Sequence, residues 1–255
     1  MTGTPAAGPP RRSRWRPALR AIAWALAAAL ALAPVARAGA SATEAAVPVK
    51  IGIIGAGHIG GTLAALWVQS GHEVLISSRH PEELRSLAAS LGPRAHVGTP
   101  REAALFSNVV LVSVPYRALP QLGADLRQEL SGKIVLDTCN PYPERDGPMA
   151  MQARARGTGV ASAQFLPGVR LVRAFNAIGY RDLQHLAHRA GDPVAIPLAG
   201  EDAAALAVAQ QLVRDAGFEP VVVGDLSRAR DFDFGTYPYT HVLDAAQLRQ
   251  ALHLN

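Results

Sequence analysis

The stretch Lys50–Arg79, KIGIIGAGHIGGTLAALWVQSGHEVLISSR, constrains this chain more than any other. A β-rich run, residues 50–54, feeds directly into Gly55-Ala56-Gly57-His58-Ile59-Gly60. Ile59, Leu63, Leu66 and Trp67 then recur at helical spacing, which predicts a helix over 58–71 closed by Gly71. EVLIS at 73–77 reads as a second strand. Strand, glycine turn, helix and strand in this order make a βαβ unit. Gly55 permits the tight turn, Gly57 lets the backbone approach phosphates, and Gly60 lets the helix pack near the strand. The helix start offers free N–H groups and a positive dipole end to a pyrophosphate. The turn is therefore expected to bind a dinucleotide rather than serve only as a structural corner.

The end of the second strand decides which dinucleotide fits. Folds that take NAD place Asp or Glu there, to accept from the ribose hydroxyls. This chain has Ser77-Ser78-Arg79-His80 instead. No acid is placed to repel a 2′-phosphate, Ser78 can donate a hydrogen bond, and Arg79 can form charge-assisted bonds. The expected cofactor is NADP(H), although Glu82 and Glu83 follow closely. His58 reads equally well as a contact to phosphate or second substrate and as a surface residue at a helix start.

Strand and helix patterns alternate through the rest of the chain. Helices are expected at 81–91, 100–106, 118–130 and 203–216, with a short one at 245–252. Strands are expected at 95–97, 108–114, 133–137, 169–175, 193–198 and 219–223, and 140–147 (NPYPERDG) as an irregular loop. Residues 108–114, NVVLVSV, form the continuous apolar run of a strand buried on both faces. The expected fold class is α/β, a doubly wound, mostly parallel sheet. Residues 49–230 form its single nucleotide-binding domain, and 231–255 a short tail that packs on it.

Basic residues outnumber acidic ones 25 to 20, but the excess is local. Residues 1–40 hold six arginines and no acid, which leaves 19 basic against 20 acidic residues. No basic surface for nucleic acid is expected from such a balance. The leader itself is ordered: basic residues 11–20, uniformly apolar residues 21–33, then Pro34 and Ala36-Arg37-Ala38. That is the layout of a secretory signal peptide, and Arg11-Arg12-Ser13 loosely follows a twin-arginine signal. The apolar run is short for a membrane span. We expect residues 1–40 to be a signal peptide, 41–48 a linker, and the mature protein to be periplasmic or secreted, with no stable membrane span after processing. A misplaced start codon, with a cytoplasmic product, is the competing reading. Cys139 is the only cysteine, and it reads as a small packed residue rather than a catalytic thiol. No His/Cys/Asp/Glu grouping has metal-ligand spacing, so no metal is expected.

The segments quoted so far, with NVVLVSVPYRAL, KIVLDTCNPY, LVRAFNAIG, AGEDAAALAVAQQLVRDAGFEPVVVGDL and GTYPYT, resemble the NADPH-dependent reductases of the deazaflavin coenzyme F-420. The resemblance spans nearly all of residues 50–255. It implies hydride transfer between NADP(H) and a deazaflavin or flavin-like ring. The positions it matches are Gly55, Ala56, Gly57, His58, Ile59, Gly60, Ser78, Arg79, Val114 and Pro115, with Asn140-Pro141 also expected to face the site. The family's second basic residue near the 2′-phosphate has no clear match. A similar domain serves membrane-associated ferric reductases, in which NADPH reduces a flavin.

Hydride transfer between stacked rings needs positioning in a dry pocket more than acid–base help. Accordingly no catalytic side chain is assigned. Pocket residues are expected at the carboxyl ends of the strands: Val114, Pro115, Cys139, Asn140 and 176–179; Arg117 reads either as a contact to an anionic acceptor or as a solvated helix residue, the commoner case. The expected partner is a small-molecule acceptor, F-420 or a flavin, and a homodimer is compatible with the sequence. Two other functions stay open: an NADP(H) sensor or carrier without turnover, and a reductase of a small imine or ketone. The second usually brings a helical C-terminal domain, whereas the residues after DTCNP read as α/β.

Overall fold

The computed structural model describes residues 1–3 and 48–254. The signal peptide and linker inferred from the sequence lie almost wholly outside the described residues. What the residues from Pro48 onward build is one eight-stranded sheet in the order β3-β2-β1-β4-β5-β6-β7-β8. Its strands are β1 (Lys50–Ile54), β2 (Glu73–Ser77), β3 (Ala95–Gly98), β4 (Val109–Val112), β5 (Ile134–Asp137), β6 (Arg170–Arg173), β7 (Ala195–Gly200) and β8 (Glu219–Gly224). The first six pair in parallel in the 3-2-1-4-5-6 order of a doubly wound dinucleotide-binding sheet. All four residues of β4 are buried, as helices on both faces require.

β7 runs antiparallel to β6, and β8 runs parallel to β7. The helices are α1 (His58–Gln69), α2 (Arg85–Leu91), α3 (Pro100–Phe106), α4 (Leu119–Asp125), α5 (Arg127–Leu130), α6 (Pro143–Asp146), α7 (Pro148–Arg156), α8 (Thr158–Phe165), α9 (Tyr180–His185), α10 (Ala203–Asp215) and α11 (Ala245–Ala251). Between β6 and β7 stands only α9, whose six residues rise about 9 Å. β7 starts beside the carboxyl end of β6 and runs back along it. α10, with 13 residues, makes the full return and sets β8 parallel to β7.

Other departures from the sequence reading are local. The helix expected over 118–130 divides at Leu126, and the one over 81–91 opens with a 3-10 turn, Pro81–Leu84. The 140–147 loop contains the helical turn α6, and α7 and α8 fill a stretch that carries no readable pattern. α8 is built of small residues that allow close approach. A Cβ on Gly159 would stand 2.4 Å from the Leu226 carbonyl oxygen. The final segment packs through Leu243, Leu248 and Leu252 onto Val221 and Val223 of β8. No helix among the described residues is long and apolar enough to cross a membrane.

Candidate dinucleotide site

The glycine turn lies at the carboxyl end of β1, where its amides and its bare positions have distinct surroundings. The Gly55 and Ala56 amides both donate to the Ser77 carbonyl, at 3.0 and 3.1 Å, and so tie the turn to the end of β2. Gly55 has φ +100°, and a Cβ there would stand 2.3 Å from the Ser113 carbonyl oxygen beyond β4. A Cβ on Gly60 would stand 2.1 Å from the Gly55 carbonyl oxygen. These two glycines are required by the protein's own packing. Gly57 is different: nothing lies within 4 Å of the position its Cβ would take. Gly57 is also the N-cap of α1, with no side-chain cap and no acid in the first turn. The four N–H groups that open a helix have no intrahelical acceptor. Here no N-cap side chain satisfies them.

A cavity of about 720 Å³ opens beside this turn. Gly55, Ala56 and Gly57 form one wall, and Ser78 and Arg79 one end. Val114 and Pro115 close it from β4. Seven of the positions matched by the resemblance thus share one cavity. Arg79 is exposed and forms no ion pair among the described residues. Ser78 Oγ accepts from the His80 amide at 3.0 Å, which leaves its own proton free to donate. Glu82 is turned toward His80, at 3.6 Å, while Glu83 lines the cavity near Arg79.

The cavity also reveals residues that sequence reasoning missed. Thr99, Pro100 and Arg101 line it from the end of β3, and Gln121 from α4. Arg101 brings a second arginine to the lining, its guanidinium pairing with Glu129 and donating to the Asp125 carbonyl at 2.9 Å. Its place in the same lining as Arg79 follows from β2 and β3 being neighbours, which no local pattern near Arg101 discloses. Arg117 lines the cavity as well, and its Nη1 donates to the Arg145 carbonyl.

The remaining expected residues take other positions. His58 faces a neighbouring open groove and stacks on Tyr180, with ring centroids 4.5 Å apart. Ile59 is half-buried and packs against the core. Cys139 is buried between strands; its Sγ accepts from the Val114 amide at 3.4 Å. Burial, reinforced by the Asp137 carboxylate, pushes its thiol well above the ordinary range. A protonated, enclosed thiol is a packing group and no nucleophile.

Asn140 is also buried, and its side chain serves the frame of the site. Its Nδ2 donates to the Asn176 carbonyl at 2.8 Å. Arg173 donates to Asp137 Oδ2 at 2.8 Å, to the Cys139 carbonyl at 2.7 Å and to Asp233 Oδ1 at 3.0 Å. Burial alone would strip charge from this guanidinium, but Asp137 and Asp233 hold it charged. One fully buried cation thereby fastens the ends of β5 and β6 to the C-terminal segment. No group of three or more His, Cys, Asp or Glu among the described residues is placed to hold a metal.

Comparison with known proteins agrees with this geometry. Residues 50–141 match the family described as NADP oxidoreductase, coenzyme F-420-dependent. A metalloreductase of Rattus norvegicus, STEAP3, is 31% identical over 184 residues, or 72% of this chain. The chain spans 36% of that protein's length. A hypothetical protein of Sinorhizobium meliloti superposes with TM-score 0.68 at 25% identity, covering 78% of this chain and 96% of the other. A candidate F-420-dependent NADP reductase of Arthrobacter sp. FB24 superposes with TM-score 0.62 at 24% identity, covering 71% and 87%. Residues 50–141 thus bear out the resemblance to the coenzyme F-420-dependent NADP oxidoreductases that the sequence carries.

Proposed function

We propose that the chain is an NADP(H)-dependent oxidoreductase that passes a hydride between NADPH and a deazaflavin, F-420, or a flavin-like ring. The observation that carries this reading is the 720 Å³ cavity, which joins the uncapped start of α1 and the open space at Gly57 to Ser78 and Arg79. The residues present fit NADP(H). The α1 N–H groups would hold the pyrophosphate, and Ser78 and Arg79 the 2′-phosphate. NADPH when bound supplies the hydride from its nicotinamide ring. The chain's own contribution is to hold, align and dry the reacting groups. Val114, Pro115 and the framework fastened by Arg173 give a rigid floor at the carboxyl ends of β4, β5 and β6, where sheets of this kind take their ligands.

The experiment is to follow NADPH oxidation by the full chain with F-420, FMN, FAD and ferric chelates as acceptors. Oxidation with a deazaflavin or flavin is expected. Tight NADPH binding without oxidation by any of them would replace the enzyme with a sensor or carrier. The same proposal locates the reaction outside the cytoplasm, a reading supported by the basic and apolar leader of residues 11–38. Mass measurement of the native N-terminus tests that: a start near Gly39 supports it, and soluble protein that keeps residues before Ala38 overturns it.

A further inference from the structure

At the carboxyl edge of the sheet, behind β5 and β6, a separate pocket of about 300 Å³ lies between the start of α8 and residues 230–236. Its lining includes Arg154, Thr158, Arg230, Asp233 and Phe234. Three features distinguish it from an ordinary polar hollow. Thr158 is 1% exposed, and its Oγ1 has no hydrogen-bond partner among the described residues. A buried hydroxyl without a partner is destabilising, so one is expected to find an acceptor or donor. Second, both guanidiniums lack a carboxylate partner among the described residues. Arg154 lies over the Phe234 ring at 4.8 Å, and Arg230 reaches only the Arg156 carbonyl at 3.3 Å. Third, both are seated against glycines. A Cβ on Gly157 would stand 3.3 Å from Arg230 Nη2, and one on Gly235 would stand 3.3 Å from Arg154 Nη2.

The one acid in the lining is already engaged. Asp233 Oδ1 accepts from Arg173 and from Asn176 Nδ2, and Oδ2 from the Thr158 amide at 3.3 Å. Its charge is directed inward, to the buried Arg173. What faces the pocket is two unpaired cations and an unpartnered hydroxyl, above the start of a helix with no acid in its first turn. Two like charges around one hollow repel, and an anion between them removes that repulsion.

We propose that this pocket is an oxyanion subsite that takes a phosphate or carboxylate group, held by Arg154, Arg230 and the Thr158 hydroxyl. It stands apart from the dinucleotide cavity and does not depend on hydride transfer. The group belongs either to the tail of the hydride acceptor or to a free anion. The test is a calorimetric titration of the full chain with inorganic phosphate, in NADP+ excess, with NADP+ binding measured separately on the same sample. Arg230→Gln and Thr158→Val are each expected to weaken phosphate about ten-fold, as loss of a charge-assisted bond does. Thr158→Val is expected not to lower Tm, because it removes an unsatisfied hydroxyl. Wild-type protein that binds no phosphate at millimolar concentration, or variants that bind it as tightly as wild type, would overturn the proposal. The source is read from flavin fluorescence. Phosphate that displaces FMN but not riboflavin identifies the acceptor's tail, and phosphate that displaces neither identifies a free anion.

Discussion

Replacing Gly57 by alanine separates a glycine kept for the ligand from glycines kept for the fold. Gly57 has φ −78° and ψ −156°, which alanine adopts without strain. A methyl there meets no atom within 4 Å. Such a replacement stabilises by about 0.4–1 kcal/mol, because the unfolded chain loses freedom. At about 2–4 °C per kcal/mol for a domain of this size, Tm should rise by about 1–4 °C. The same methyl would occupy the space through which phosphate reaches the start of α1. NADPH affinity should fall at least about ten-fold, or ~1.4 kcal/mol. Gly55→Ala is the contrasting control. It combines φ +100° with an approach of 2.3 Å to the Ser113 carbonyl oxygen. The left-handed backbone costs about 1–2 kcal/mol and the overlap about 1–3 kcal/mol. Together these lower Tm by about 4–20 °C. Calorimetric melting without ligand and titration with NADPH give both readouts. Gly57→Ala that binds NADPH like wild type, or that melts as early as Gly55→Ala, would refute the reasoning.

Arg173→Met leaves the buried Asp137 and Asp233 without their shared cation, so it should cost about 3–5 kcal/mol and lower Tm by about 6–20 °C. A loss under about 1 kcal/mol in denaturant melts would show that the pair contributes little. Cys139→Ser should leave NADPH binding unchanged, and the native thiol should alkylate far more slowly than the unfolded one; rapid native alkylation would contradict its burial. Burial works to raise the Asp146 carboxyl, but Arg145 and the Tyr142 and Arg117 amides outweigh it and hold it below the ordinary range. Because its folded value is depressed, its stability contribution is complete above the unfolded value of about 4 and is lost as pH falls through the folded value. Asp146→Asn should therefore flatten the acid limb of Tm against pH. An unchanged limb would rule out that contribution.

How far the sequence could be read depended on whether the cause was local. The strand, glycine turn and helix of residues 50–69 were legible because their signals lie close together in the chain. The buried β4 and amphipathic α10 were legible from patterning. α8 was not, since close packing of small residues replaces an apolar stripe there. The antiparallel direction of β7 rests on its pairing with β6 across a long, mostly irregular connection, which no local pattern discloses. Arg101, Asp233 and Thr158 matter only through neighbours far along the chain. Asn140 shows the converse limit: it stands at the right strand end, yet its side chain is spent on Asn176 and Arg173.

The most direct test of the central claim is a calorimetric comparison of NADPH and NADH binding to the full chain and to Arg79→Ala. Wild type is predicted to prefer NADPH, and the variant to lose about 1.5–3 kcal/mol on NADPH while NADH hardly changes. Equal losses on both nucleotides, or no preference in wild type, would contradict the role of Arg79 at the 2′-phosphate.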